Sequence, residues 1–296
     1  MDLPRISVVT PSFNQASFLE QTILSVLGQC YPNLEYIVMD GGSSDGSAEI
    51  IARYRSQLAY SQSQRDGGQA AAINAGFARA TGDILCWLNS DDFFLPGALH
   101  RVAKGLAGSA SKAALVYGSC LFFREGANAS AKILTARSFN AERLRATAYI
   151  VQPSAFWTRE LWEKTGPLDG TLSYAFDWDW FIRASQYADF VPCAEMFAAY
   201  RRHDAHKSGQ GGEARRAELL AVAQRHGSDR VRRLYEFASE QWPSVTAWTR
   251  RRRTMESWHF PAAGAAARLT VPALWRLPAG VVTADLHTAR AMLEGV

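Results

Sequence analysis

The chain has 296 residues, 48% of them apolar and 20% charged, which suits a soluble globular enzyme built as one large α/β unit with an appendage. Its formal net charge of +4 is too small to argue for nucleic acid as the partner. The four cysteines form no CxxC pair, which argues against a zinc knuckle or a thioredoxin-like centre and fits a reducing cytosol.

Met1 to Arg5 leads straight into a strand pattern rather than a signal peptide, and no uninterrupted apolar run reaches membrane-spanning length. Ile6 to Thr10 is a β-branched run predicted as a buried strand, ended by Pro11. Ala16 to Leu27 carries apolar residues at helical spacing. A second strand is expected over Leu34 to Met39, a helix over Ala48 to Arg55 and a short strand near Leu58 to Ser61. After Gly67-Gly68 an alanine-rich helix runs to about Ala80, and Ile84 to Leu88 is a further strand. This alternation predicts a parallel sheet with helices on both faces. Further on, Leu115 to Phe123, Ser154 to Trp157 and part of Val191 to Tyr200 read as strands, and Trp178 to Tyr187 as a helix. Ser208 to Gly212 reads as a loop, followed by a helical, arginine-rich region.

Polar segments follow three of the strands, and in open α/β sheets ligands bind beyond the strands' C-terminal ends. Asn89-Ser90-Asp91-Asp92 sets adjacent carboxylates just past a buried strand, an arrangement relieved by Mg²⁺ or Mn²⁺ shared with phosphate oxygens; the alternative is a helix cap. Asp40, at a strand end, is expected to point into the crevice, where it could accept a pyrimidine N–H. Asp45 reads as a helix cap. Arg65 to Asn74 opens a helix whose free amides favour anions, or is a glycine turn leading into a core helix. Asp177 and Asp179 stand among tryptophans, a setting that raises a carboxylate's pKa and suits a general base; acidic capping is the alternative. His203 or His206 could complete a metal shell, or belong to a solvated loop.

Taken in order, these segments resemble glycosyltransferase family 2, the inverting group with the GT-A fold, over about residues 5 to 208. The resemblance is carried by Ile6 to Asn14, by Gln29 to Gly46, by Asp66-Gly67-Gly68-Gln69 through Asp83, and by Asn89-Ser90-Asp91-Asp92 in place of the family's DxD motif. It continues in Gln152-Pro153-Ser154, Gly166-Pro167-Leu168-Asp169 and Phe176-Asp177-Trp178-Asp179. It implies a Rossmann-like, mostly parallel central sheet flanked by helices over 1–212, with a helical, Arg/Trp-rich extension over 213–296. It implies a nucleotide-sugar site built from Thr10, Pro11, Phe13, Asn14, Asp40, Gly41, Asp66, Gln69, Asn74, Asn89, Ser90 and Asp91. The metal, Mn²⁺ or Mg²⁺, would be held by Asp91, Asp92 and His203, with His206 as rival. Asp177 would be the base, with Asp179 as rival because Phe176 stands where the family carries Glu. Asn89 stands at the first DxD position, and Ile73 where the family often has Arg.

The implied reaction moves a sugar, with inversion, from a nucleoside-diphosphate donor of UDP type to a hydroxyl of a glycan or lipid-linked acceptor. Bacterial polysaccharide or lipopolysaccharide synthesis is the implied setting, in the cytoplasm or on the inner face of the membrane. The alternatives weighed are a non-catalytic nucleotide-sugar or glycan-binding module and a sugar nucleotidyltransferase. The latter usually carries a basic phosphate loop after its first strand, and Pro11-Ser12-Phe13-Asn14-Gln15 has no basic residue. Trp242, Trp248, Trp258 and Trp275 interleave with Arg250 to Arg253, which fits either peripheral contact with anionic lipid or a helical appendage packed on the core.

Overall fold

The computed structural model describes residues 3–107, 112–125 and 129–227. The Trp/Arg-rich stretch beyond residue 227, with its expected membrane contact and helical extension, lies outside the described residues.

The elements run β1 (Ile6–Ser12), α1 (Ala16–Leu27), β2 (Leu34–Asp40), α2 (Ser47–Tyr54), β3 (Tyr60–Ser63), α3 (Gln69–Phe77), β4 (Ile84–Trp87), β5 (Phe93–Phe94) and α4 (Ala98–Gly105). They continue with β6 (Leu115–Arg124), β7 (Ser130–Leu134), α5 (Ala141–Ala146), β8 (Ala155–Thr158), α6 (Arg159–Thr165), α7 (Phe176–Ala184), β9 (Phe190–Arg201), α8 (Lys207–Gln210) and α9 (Gly212–His226). One sheet has the order β3-β2-β1-β4-β8-β6-β9-β5. Its first four strands are parallel. β8 joins antiparallel to β4 and β6, β9 runs parallel to β6, and β5 closes the far edge antiparallel to β9. β7 pairs with β6 at Cys120–Arg124, beyond the stretch taken by β8.

The alternating side-chain direction of strands divides the core in two. Val9, Ile37, Met39, Leu85 and Trp87 face one layer, shared with α3, α6, α7 and α9. Ile6, Val8, Tyr36, Val38, Ile84 and Cys86 face the other, shared with α1, α2 and α4. A strand buried on both faces favours the continuous apolar run found in β4; β1 is buried on both faces with Ser7 and Thr10 in its run, their hydroxyls bonded to Glu35 and Tyr36.

Several boundaries differ from the sequence reading. β1 continues through Pro11 and Ser12. It is paired there with β2 alone, because its pairing with β4 stops at Val9, so proline's missing N–H interrupts no ladder on that side. β3 begins at Tyr60 rather than Leu58. The alanine-rich helix ends at Phe77, where Ala78 caps it without a side chain. Ser208 to Gly212 is not an open loop: α8 runs to Gln210, and Gly212, at φ +46°, starts α9. α9 buries Val222 and Ala223 in the same core layer as Trp178 and Leu144. Among the described residues no helix is long and apolar enough to cross a membrane, and all four cysteines are free thiols.

Candidate functional site

The C-terminal ends of β1, β2 and β4 open into a crevice of about 1830 Å³. Single-ligand pockets run to roughly 1,000 Å³, so this crevice has room for two substrates side by side. Pro11, Phe13, Gly41, Asp66, Gln69, Asn89, Ser90, Asp91 and Asp177 line it. The sequence thus brings residues separated by more than 160 positions to one wall. Thr10, Asn14, Asp40, Asn74, Asp92, Asp179 and His203 are not part of that lining.

On one side, a Cβ at Gly41 would stand 3.1 Å from Asp66 Oδ2 and 3.3 Å from the Phe13 ring. Glycine is therefore what lets these three groups converge. Phe13 is 61% exposed, a flat apolar face at the crevice mouth. Asp66 Oδ1 accepts the Gly68 amide at 2.7 Å, at the start of α3.

Asp40 does not point into the crevice as expected. It is fully buried, and its carboxylate accepts from the Ser43 amide (2.9 Å), the Ser43 hydroxyl (2.6 Å), the Ser63 hydroxyl (2.6 Å) and the Gly42 amide (3.2 Å). The turn after β2 would otherwise leave these donors without partners, and the strand-end carboxylate takes them. Asn14 and Asn74 are used in the same manner. Asn14, at φ +52°, accepts from the Ser44 amide, and Asn74 clamps both backbone groups of Leu168 at 2.9 Å. Thr10 is buried with its hydroxyl on Tyr36. Asp45 accepts from the Ser47 amide and hydroxyl at the start of α2 and from the Ala16 amide at the start of α1, so its reading as a cap holds.

The Asn89–Asp92 segment is a tight turn, closed by the Asp92 amide on the Asn89 carbonyl. Asn89 Oδ1 accepts from Gln69, whose own Oε1 accepts from Lys207 Nζ at 3.0 Å. Asp91 turns outward and meets His203 Nε2 at 3.1 Å; its side chain and that of His203 are each less than a fifth exposed. Asp92 turns inward, where its Oδ1 accepts the Arg201 amide. Burial, with Asp91 beside it, raises the Asp92 carboxyl well above the usual range. The alternative of an Asp-Asp helix cap does not apply, because α4 starts from Gly97 and has no side-chain cap.

Arg201 holds this turn from β9. Its Nε donates to the Asp91 carbonyl (3.0 Å), Nη1 to Glu125 and Nη2 to Gln21. Phe18 and Phe123 stack on its guanidinium at 4.9 Å. Only the arginine run in the sequence hinted at it. His206, the rival to His203, bonds the Tyr200 hydroxyl at 2.8 Å, and burial lowers its pKa.

Asp177 lies in the first turn of α7 and faces the crevice beside Phe176, Trp178 and Tyr174. Burial raises its pKa to about 6, against a smaller pull from its own-turn amides and from the charge of Arg215. Asp179, two residues on, has no exposed surface. It is held by Arg183 (2.9 Å), Arg225 (3.0 Å) and His226 (2.7 Å). Burial alone would raise the Asp179 pKa, but the hydrogen bonds from His226 and Arg183 outweigh it and leave the carboxyl below the usual range. The two aspartates therefore have different parts: Asp177 is turned to the crevice, and Asp179 ties α7 to the end of α9. The preceding loop is tied as well, since Glu218 of α9 accepts the amides of Ser173 (2.8 Å), Tyr174 (2.6 Å) and Ala175 (3.2 Å).

Asp91, at the crevice, and His203 behind it are a pair that could hold a cation. Among the described residues no group of three or more His, Cys, Asp or Glu is gathered for one. The pair fits Mg²⁺ or Mn²⁺ bound by few protein ligands together with substrate phosphates.

Comparisons with known proteins bear on the fold. The sequence profile described as Glycosyl transferase family 2 matches residues 7–152. An uncharacterized glycosyltransferase of Rickettsia typhi is 24% identical over 208 residues, covering 68% of this chain and 65% of that protein, so the chain spans just under two thirds of its relative. Staphylococcus aureus TarS 1–349, solved with UDP-GlcNAc, superposes with a TM-score of 0.58 at 16% identity, over 74% of this chain and 65% of that one. The mannosyltransferase PcManGT of Pyrobaculum calidifontis, solved with GDP-Man and Mn²⁺, gives 0.55 at 20% identity, over 99% and 86%. The fold is that of GT-A glycosyltransferases.

Proposed function

We propose, on the premise that the chain belongs to glycosyl transferase family 2 through residues 7–152, that it moves a sugar from a nucleoside-diphosphate donor to an acceptor hydroxyl with inversion. The observation that carries this reading is the single crevice shared by Asp177 and by the Gly41, Asp66, Asn89 and Asp91 wall. The solved neighbours that hold UDP-GlcNAc and GDP-Man support a nucleotide-sugar donor.

The nucleobase packs on the exposed ring of Phe13, beside Gly41. There the Asp66 carboxylate, rather than Asp40, is free to accept a base N–H. The start of α3 and Lys207 attract the diphosphate. A divalent cation held by Asp91 and His203 would supply Lewis-acid neutralisation of the leaving diphosphate. Arg201 and Asp92 keep Asp91 in place. Asp177 takes the proton from the acceptor hydroxyl. The hydroxyl oxygen forms its bond to the anomeric carbon as the bond to the diphosphate breaks on the opposite face. A carboxyl with a pKa near 6 is ionised at neutral pH yet basic enough to assist.

Melting of the full chain with UDP, GDP and dTDP, with and without Mn²⁺, tests the donor half, since a ligand of the folded state raises the melting temperature. A shift with one diphosphate, lost in Asp91→Ala, is expected. Asp177→Asn is expected to keep that shift and lose donor turnover by at least about a hundredfold. Near-normal turnover in Asp177→Asn would overturn the assignment of the base, and no shift with any nucleotide would overturn the donor reading.

A further inference from the structure

Among the described residues lining the crevice, eight are arginine or lysine and three are aspartate. This formal excess of five positive charges is larger than that of the whole chain, +4. The donor does not account for it. Its diphosphate brings one negative charge on each phosphate, and the divalent cation expected beside Asp91 would cancel both. Arg65 and Lys207 already stand on the donor side, near Asp66 and on Gln69.

The remaining cations are grouped on the other wall: Lys132 from β7, Arg137 just after it, Arg143 from α5, Arg202 after β9, and Arg215 and Arg216 from the start of α9. This wall adjoins the proposed base. α5 is bound to α7 by the Trp178 indole N–H on the Leu144 carbonyl at 2.6 Å, so Arg143 sits one residue from that contact. Arg215 stands close enough for its charge to act on Asp177. Tyr149 and Tyr174 line the same space and offer flat faces on which sugar rings pack.

We propose that the wall formed by β7, α5 and the start of α9 is the acceptor subsite, and that the acceptor is an anionic saccharide carrying phosphate or carboxylate groups near the hydroxyl that is glycosylated. The proposal rests on the glycosyltransferase reading. Arginine suits either anion because its planar fork binds both in two-point fashion. Arg216 is paired with Glu213 at 2.8 Å, but a neutral acceptor would still leave Arg143, Arg202 and Arg215 sharing a half-enclosed space, an arrangement that like-charge repulsion opposes.

The test uses the full chain saturated with Mn²⁺ and whichever nucleoside diphosphate shifts its melting, so that the donor half is filled. Three oligosaccharide probes share one backbone: neutral, phosphorylated and carboxylated. Titration is followed by calorimetry at low and moderate salt. At least one charged probe should bind about tenfold more tightly than the neutral one, with the advantage shrinking as salt rises. The stronger of the two identifies the anion. Arg143→Gln and Arg215→Gln, on separate elements, should each weaken the charged probe about fivefold or more while leaving the nucleotide-induced melting shift intact. Equal affinity for all three probes, no binding of either charged probe, or a preference that survives both substitutions overturns the proposal. Failure of every nucleoside diphosphate to bind would instead remove the reading on which it rests.

Discussion

Replacing Asp177 by Asn should abolish turnover and stabilise the fold. In the native state the Asp177 carboxyl is raised from its ordinary value to about 6 by burial, whereas in the unfolded chain it titrates near 4. Between those values the folded protein holds a proton that the unfolded chain has lost, so the group's contribution to stability falls as pH rises through this window. Above pH 6 the full cost is present. Two units correspond to about 3 kcal/mol, and the carboxyl's partial opening to the crevice reduces this to about 1–3 kcal/mol. Asparagine keeps an oxygen for the Trp178 amide that Asp177 now accepts at 2.8 Å, and removes the charge. For a chain of this size the gain is a rise in melting temperature of about 3–10 °C at pH 8. Melting curves of both proteins at pH 8, 6 and 4 read it directly. The difference should be largest at pH 8, shrink near pH 6 and vanish near pH 4. A variant no more stable than the parent at pH 8, or a gain that does not change with pH, would refute the argument that Asp177 is a strained, desolvated carboxylate.

The same protonation bears on rate: log kcat/KM for donor consumption should fall with unit slope below about pH 6, and a profile flat to pH 4.5 would exclude Asp177 as the base. Glu218→Ala removes the acceptor for the three amides that lead into α7; it should lower kcat about tenfold with donor KM little changed, with partial recovery in Glu218→Gln, whereas a change confined to KM would count against a positioning role. Asp179→Ala leaves His226 and the Arg183 Nε without their acceptor beside a buried void, while Arg225 keeps Asp169 and Arg183 keeps the Thr165 and Pro167 carbonyls; a loss of about 2–4 kcal/mol is expected in urea unfolding, and an unchanged midpoint would show that this cluster does not hold α7.

The strand-end wall of the crevice was legible in the sequence because its signals are local. A strand buried on both faces favours a continuous apolar run, and polar residues immediately after it must sit at the strand end. Hence Asp91, Asn89 and Gly41 could be located before any coordinates. Asp40 was misread for a related reason. A strand-end carboxylate is at the right height for a ligand, but the turn Gly41–Ser44 and β3 bring four donors to it first. That competition depends on Ser63, from a strand expected to end at Ser61 and found to run over Tyr60–Ser63. Short elements were lost altogether: β5 has two residues, β7 five and α5 six, too few for periodicity to register. For α5 there was a signal that went unused, since Asn140 accepts the Arg143 amide as a helix cap.

Asp177 and Asp179 were inseparable in the sequence for a physical reason. Two residues apart in one helical turn, their side chains diverge by about 200°, so one must face the crevice if the other faces the core. Which is which depends on where basic partners stand, and those partners, Arg225 and His226, lie some 46 residues away on α9. The family profile ends at residue 152, before the proposed base and before Glu218, Arg225 and His226. The crevice has two walls. One is the strand-end wall, whose form follows from the parallel sheet itself and would serve many donors. The other is assembled by β7, α5, α7 and α9, the helices tied through Glu218, Asp179 and Trp178, and it carries most of the excess positive charge. A wall built from helix surfaces rather than strand ends can change its charge without disturbing the sheet, because Arg143 and Arg215 are not among the core residues that join the layers. On the proposed reading, acceptor choice can thus vary on a constant donor scaffold, and the basic wall is where this chain's own choice is written.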